Sequence, residues 1–127
     1  MAEIQNVAFI GLGLMGGSFA ANLIKSGMRV FGFDPSSTAA KTLQENGGTM
    51  ADTPGAAAAE ADLVIVMVPD TPQIEDVLSG QDGLFSTPGS GRRLMVMSTI
   101  DPGDVQDFAA RAASEGWCYV DCPVGRT

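Results

Sequence analysis

The sequence predicts an α/β fold, a doubly wound parallel sheet of about six strands with helices on both faces. Three observations carry that prediction. Short apolar runs that read as strands alternate along the whole chain with amphipathic stretches that read as helices. The first run is mostly apolar, as a strand covered on both faces requires. No linker or low-complexity segment divides the 127 residues, which are 45% hydrophobic and 17% charged, so there is room for one domain around one core. A helix between successive strands returns the chain so that the strands run parallel, and such crossovers are right-handed.

Each element follows from local composition. Ile4 to Ile10 reads as the first strand and stops at Gly11. From Leu14 the period changes: Met15, Phe19 and Leu23 recur at spacing four, Ala20 and Ile24 widen the stripe, and Gly27 ends a helix expected to pack through that stripe. Met28 to Phe33 reads as a second strand ending at Asp34-Pro35. Thr38 to Asn46 reads as a helix with Ala40 and Leu43 inward, closed by Gly47-Gly48 before a brief third strand at Thr49 to Ala51. Thr53-Pro54 sets a capping hydroxyl ahead of a proline and opens a short helix through Ala56 to Ala61. Leu63 to Val68 is the clearest strand, stopped by Pro69. Thr71-Pro72 opens a helix whose apolar face is Ile74, Val77 and Leu78. Gly80 to Gly91, rich in Gly, Ser and Pro, reads as a loop around an apolar anchor, Leu84-Phe85. Arg93 to Ser98 is the fifth strand. Asp101-Pro102, with Asp104 three residues after the cap, starts a helix with Val105, Phe108, Ala109 and Ala112 inward, ending near Gly116. Trp117 to Asp121 is the sixth strand.

Composition narrows the function. Seven Lys and Arg against 15 Asp and Glu leave a net charge of −8, which repels nucleic-acid backbones and anionic lipid, and the pair Arg92-Arg93 is too small to offset it. No apolar run is long enough to span a bilayer, and Met1 to Ile10 lacks the pattern of a secretion signal, so the expected location is cytoplasmic. Histidine is absent, which argues against zinc and removes the commonest general acid/base. Cys118 and Cys122 would lie roughly 13 Å apart on one strand, too far for a disulfide, and are expected to be buried as small hydrophobes.

Gly11-Leu12-Gly13-Leu14-Met15-Gly16 is GxGxxG, placed between the first strand and the first helix. There Gly11 permits a tight turn, Gly13 lets the backbone approach a pyrophosphate, and Gly16 lets the helix pack close to the sheet, while the helix N-terminus offers unpaired N–H groups to the anion. Asp34 follows Gly16 by 18 residues, close to the spacing of about 20 at which a carboxylate accepts hydrogen bonds from the adenosine ribose. A carboxylate there repels a 2′-phosphate, so the expected cofactor is NAD (NADH) rather than NADP, bound by a Rossmann domain spanning residues 1–127. The plain alternative for Asp34 is a cap ahead of Pro35. Further contacts are expected at the carboxyl ends of later strands: Met67, Val68 and Pro69 over the nucleotide, and a hydroxyl of Ser98 or Thr99 toward the nicotinamide ribose. An ordinary strand end with a helix cap is the competing reading of both segments.

Phe9-Ile10-Gly11-Leu12-Gly13-Leu14-Met15-Gly16, Asn22-Leu23, Met67-Val68-Pro69, Ser98-Thr99-Ile100 and Asp121-Cys122-Pro123-Val124 together resemble the β-hydroxyacid dehydrogenases, the 3-hydroxyisobutyrate dehydrogenase-like group related to 6-phosphogluconate dehydrogenase. The resemblance covers the whole chain. It implies NAD(P)-dependent oxidation of a small anionic 3-hydroxy acid, or reduction of its semialdehyde, with Thr99 at the nicotinamide end of the cofactor; Gly11 to Gly16, Asp34, Pro35 and Met67 to Pro69 are expected on the rest of it. Three departures stand out. Phe19 replaces the family's usual Met or Ala. The family's Asp-Ala-Pro-Val-Ser-Gly-Gly reads here Asp121-Cys122-Pro123-Val124-Gly125-Arg126-Thr127, so Gly125, Arg126 and Thr127 become the expected substrate-anion residues, in a form that resembles the sulfolactaldehyde reductase branch. A carboxylate substrate and a merely solvated Arg126 are the competing readings. Third, family members continue into a helical domain with the catalytic Lys and the dimer contact. Lys25 and Lys41 are expected to be solvated surface charges instead, so the 127 residues alone are expected to bind dinucleotide without completing hydride transfer, and a longer form is expected to be a homo-oligomer. A stand-alone NAD-binding regulatory or interaction module without catalysis is the alternative from another class, disfavoured because nothing caps the last strand.

Overall fold

A computed structural model of the chain describes residues 5–98 and 100–122. Its elements alternate as expected: β1 (Asn6–Ile10), α1 (Leu14–Lys25), β2 (Arg29–Phe33), α2 (Ser37–Glu45), β3 (Thr49–Met50), α3 (Pro54–Ala58), β4 (Leu63–Val66), α4 (Thr71–Ser79), a 3₁₀ turn (Leu84–Ser86), β5 (Arg93–Val96), α5 (Pro102–Ser114) and β6 (Cys118–Asp121). The six strands form one parallel sheet in the order β3-β2-β1-β4-β5-β6. The chain winds outward from β1 to β3 and then returns to the other side of β1 for β4. The strand order therefore reverses between β1 and β4, where an open parallel sheet leaves a crevice beyond its carboxyl ends.

The core lies in two layers because successive residues on a strand face opposite ways. Val7, Phe9 and Ile65 pack with Ala20 of α1 and Leu43 of α2. Ala8, Ile10, Val64, Val66, Leu94 and Val96 pack on the other side with α3, α4 and α5, through Ile74, Leu78 and Phe108 among others. The cap at Thr53 is where the sequence places it, and α2 has one that the sequence reading did not name. Thr53 Oγ1 accepts from the Ala56 N–H at 3.0 Å, and Ser36 Oγ from that of Ala39 at 3.3 Å. On α4 the capping oxygen belongs to Asp70, which accepts from the Gln73 N–H at 3.1 Å, one residue before the expected Thr71-Pro72 opening. Asp101 stands at the N-cap of α5 but makes no side-chain cap. Leu84 is completely buried as the anchor of its loop.

Two expectations need correction. The inward stripe of α1 is not led by Met15 and Phe19, which are 53% and 37% exposed; it runs through Gly16 and Ala20 to Leu23 and Ile24. The reason is proximity, since a Cβ at Gly16 would overlap the Gly11 carbonyl oxygen, so the helix lies too close to the turn for large side chains to point inward. Cys118 and Cys122 are exposed rather than buried. β6 is an edge strand whose Tyr119 and Asp121 pair with Leu94 and Val96 of the α5-covered layer, which turns Cys118 to the opposite face beside exposed Arg93. A smaller difference of the same kind places Ala39, rather than Ala40, against the core beneath α2.

Candidate functional site

The carboxyl ends of β1, β2 and β4 are stitched together beyond the last regular rungs. The Gly11 N–H donates to Phe33 O at 3.0 Å, and the Met67 N–H donates to Ile10 O at 2.8 Å. Gly11 adopts φ +98°, the left-handed region that favours glycine, and a Cβ there would overlap the carbonyl oxygen of Met67. The turn thus demands glycine at 11 for both its dihedral and its neighbour. Gly13 differs: it is the N-cap of α1 in extended conformation, it has no side-chain cap, and a Cβ on it would meet no atom within 4 Å. An uncapped helix N-terminus with open space before it leaves the first-turn amides for a ligand anion. No acidic residue occupies that first turn.

Asp34, at the end of β2, is half-buried and braces this turn from the side. Its Oδ2 accepts from the Leu12 N–H at 2.7 Å, and its Oδ1 accepts from the Ser36 N–H at 2.8 Å. A carboxylate has about four lone-pair directions, so each oxygen keeps one for a hydroxyl. The carboxylate therefore ties the glycine turn to the start of α2 while still able to accept from a diol.

These parts enclose one cavity of about 630 Å³, within the range of about 300–1,000 Å³ typical of small-molecule sites. Gly11, Gly13, Asp34, Pro35, Met67, Val68 and Pro69, seven of the residues expected on the cofactor, all border it. Others of that set lie elsewhere. Leu12 is 5% exposed, with its side chain in the core and its N–H taken by Asp34; Leu14 begins α1; Met15 points to solvent; Gly16 is buried under Gly11. Thr99, and Gly125, Arg126 and Thr127, lie outside the described residues. Ser98 departs from its expectation: its hydroxyl turns into the protein onto Val68 instead of toward a ribose. Lys25 and Lys41 are exposed on α1 and α2.

Sequence reasoning missed one wall. Phe33 closes the cavity beside Asp34, and Pro72, Gln73 and Asp76 from α4 face it across the crevice. The available signal was the position of Thr71-Pro72, directly after the strand end already expected at the site. The cradle suits a dinucleotide: an apolar slot bounded by Phe33, Pro35, Val68, Pro69 and Pro72 for a flat base, a carboxylate for the ribose, and an open glycine at the helix N-terminus for the pyrophosphate.

Residues 6–127 match the family described as the NAD binding domain of 6-phosphogluconate dehydrogenase. The chain belongs to this family of NAD-binding domains. It is 39% identical over 120 residues to a probable mitochondrial 3-hydroxyisobutyrate dehydrogenase of Dictyostelium discoideum, covering 94% of this chain and 37% of the relative. It is 36% identical over 121 residues to 3-sulfolactaldehyde reductase of Escherichia coli K12, covering 95% and 41%. Among solved structures, the 3-hydroxyisobutyrate dehydrogenase of Mycobacterium tuberculosis, determined with L-serine, superposes with a TM-score of 0.87 at 34% identity, over 98% of this chain and 42% of that one. The chain thus spans less than half the length of each of these relatives. The family-match and the superposition bear out the Rossmann fold and the resemblance to the hydroxyacid dehydrogenases. Among the described residues no helix is long and apolar enough to cross a membrane.

Proposed function

We propose that this chain is the NAD(H)-binding part of an oxidoreductase that transfers hydride between NAD(H) and a small anionic 3-hydroxy acid or its semialdehyde. The observation that supports the reading best is the convergence of the glycine turn, Asp34 and the 67–69 segment on one cavity at the point where the strand order reverses. Bound there, the dinucleotide supplies the hydride acceptor or donor. The residues of this chain bind and orient it. Gly13 and the first turn of α1 receive the pyrophosphate, Asp34 receives the ribose hydroxyls, and Met67 to Pro69 with Pro35 cover the base. Thr99 serves the nicotinamide end. Gly125, Arg126 and Thr127 hold the substrate anion, for which a planar guanidinium beside a hydroxyl is suited to two or three acceptor oxygens. None of the described cavity residues is a Lys, so no proton-transfer group on the alcohol is assigned within the cavity.

Asp34 also sets cofactor choice. A 2′-phosphate beside this carboxylate would meet like charge in a half-buried setting, so NADH is preferred to NADPH. Titration of the full-length protein with both cofactors at matched salt tests this, and equal affinities would refute it. A substrate panel tests the anion site: turnover of sulfolactaldehyde above that of methylmalonate or tartronate semialdehyde assigns a sulfonate, and the reverse order assigns a carboxylate.

A further inference from the structure

Among the described residues Ser98 is the one polar residue in the buried core, 6% exposed and two residues past the end of β5. Its hydroxyl works in both directions on a single residue across the sheet. Ser98 Oγ donates to Val68 O at 2.7 Å and accepts from the Val68 N–H at 3.1 Å. Regular pairing of β4 with β5 ends just before, with the Met97 N–H donating to Val66 O at 2.8 Å. Beyond that rung Met67 is held by β1 through its N–H, whereas both backbone groups of Val68 are satisfied by the serine oxygen. Pro69 follows and has no N–H with which to carry a strand onward.

The segment so held is the one that the nucleotide cavity uses. Met67, Val68 and Pro69 form one wall, and the Met67 carbonyl and a Val68 methyl are the atoms against which Gly11 rests. A hydroxyl in an apolar core is unfavourable unless hydrogen-bonded, and an alanine would fill the place without that requirement. We propose that Ser98 is a positioning residue for dinucleotide binding: a latch that replaces the missing β4–β5 rung, fixes the 67–69 wall, and through it seats the glycine turn. It acts on the adenosine half of the site without touching the ligand.

This inference rests on the dinucleotide reading above, and the experiment separates the two. The full-length protein and its Ser98→Ala and Ser98→Thr variants are titrated with NADH, ADP-ribose and AMP, and amide exchange at Val68 is followed without ligand. Ser98→Ala is expected to raise all three Kd values by the same factor, roughly tenfold for one hydrogen-bonded latch, and to speed Val68 exchange at least tenfold. Ser98→Thr, which keeps the oxygen, is expected to restore both. Unchanged AMP affinity in Ser98→Ala, unchanged Val68 exchange, or failure of Ser98→Thr to restore them would each overturn the latch while the wild type still bound NADH. Failure of the wild type to bind NADH or AMP would overturn the dinucleotide reading and the latch together.

Discussion

Gly13 and Gly16 belong to the same motif, yet the structure assigns them opposite sensitivities. At Gly16 an alanine gains about 1 kcal/mol of helix propensity, but its Cβ would overlap the Gly11 carbonyl oxygen and approach Phe9 Cε1 at 3.2 Å. That carbonyl belongs to a turn whose N–H is held by Phe33 O at 3.0 Å, so it has little freedom to yield. Overpacking costs about 1–3 kcal/mol where side chains can adjust, and a fixed backbone oxygen lies at or above the upper end. The net is a loss of about 2 kcal/mol, or a fall in Tm of about 8 °C at roughly 4 °C per kcal/mol for a chain of this size. At Gly13, φ −64° and ψ −170° are open to alanine and no atom lies within 4 Å of the new methyl. The entropy removed from the unfolded chain offsets the weaker N-cap, so Tm should stay within about 2 °C. In the proposed binding mode the methyl stands in the path of the pyrophosphate to the helix N-terminus, and a loss of about 2 kcal/mol there raises the NADH Kd roughly 30-fold. Buried Trp117, the single tryptophan, reports unfolding by fluorescence, and NADH titration reports binding. Equal loss of Tm in Gly13→Ala and Gly16→Ala, or wild-type NADH affinity in Gly13→Ala, would refute the division.

Asp34→Asn removes the charge and sets an amide NH2, which cannot accept, against one of the two N–H groups that the carboxylate holds, so NADH should bind at least roughly tenfold more weakly and the preference over NADPH should shrink, as parallel titrations would show. Tyr119 has its phenol pushed up to about 12 by burial and then by the nearby Asp121 charge. The unfolded chain loses that proton near pH 10 and the folded chain retains it, so stability is intact below pH 10 and declines between pH 10 and about 12. Melting curves across that range should show a smaller decline for Tyr119→Phe, and identical slopes would count against the assignment. Leu84→Ala, at a fully buried loop anchor, should cost about 2–5 kcal/mol by denaturant titration. A cost under 1 kcal/mol would mean that the loop repacks.

The alternation of elements, the glycine turn and the carboxylate after the second strand were legible because each is a local matter. Strand and helix periods, caps at Thr53, and a left-handed turn at Gly11 are set by residues within a few positions of one another. The candidate site was legible for the same reason, since strand ends in a parallel sheet all deliver their following residues to one edge. What sequence could not supply was distance across the fold. The spacing of Met15, Phe19 and Leu23 marks an apolar stripe, but only the contact of Gly16 with Gly11 decides that the inward line is the one of small residues. The cysteines read as buried until the sheet order put β6 at an edge. Ser98 reads as a hydroxyl at a strand end, free to face a ligand. Its direction depends on Val68, 30 residues earlier, whose backbone groups lack another partner. The sequence by itself determined the elements, their order and the residues arriving at the crevice. Tertiary structure alone decided which of them face the cavity, because side-chain direction there is set by the need to satisfy backbone groups and avoid overlap between segments distant in the chain.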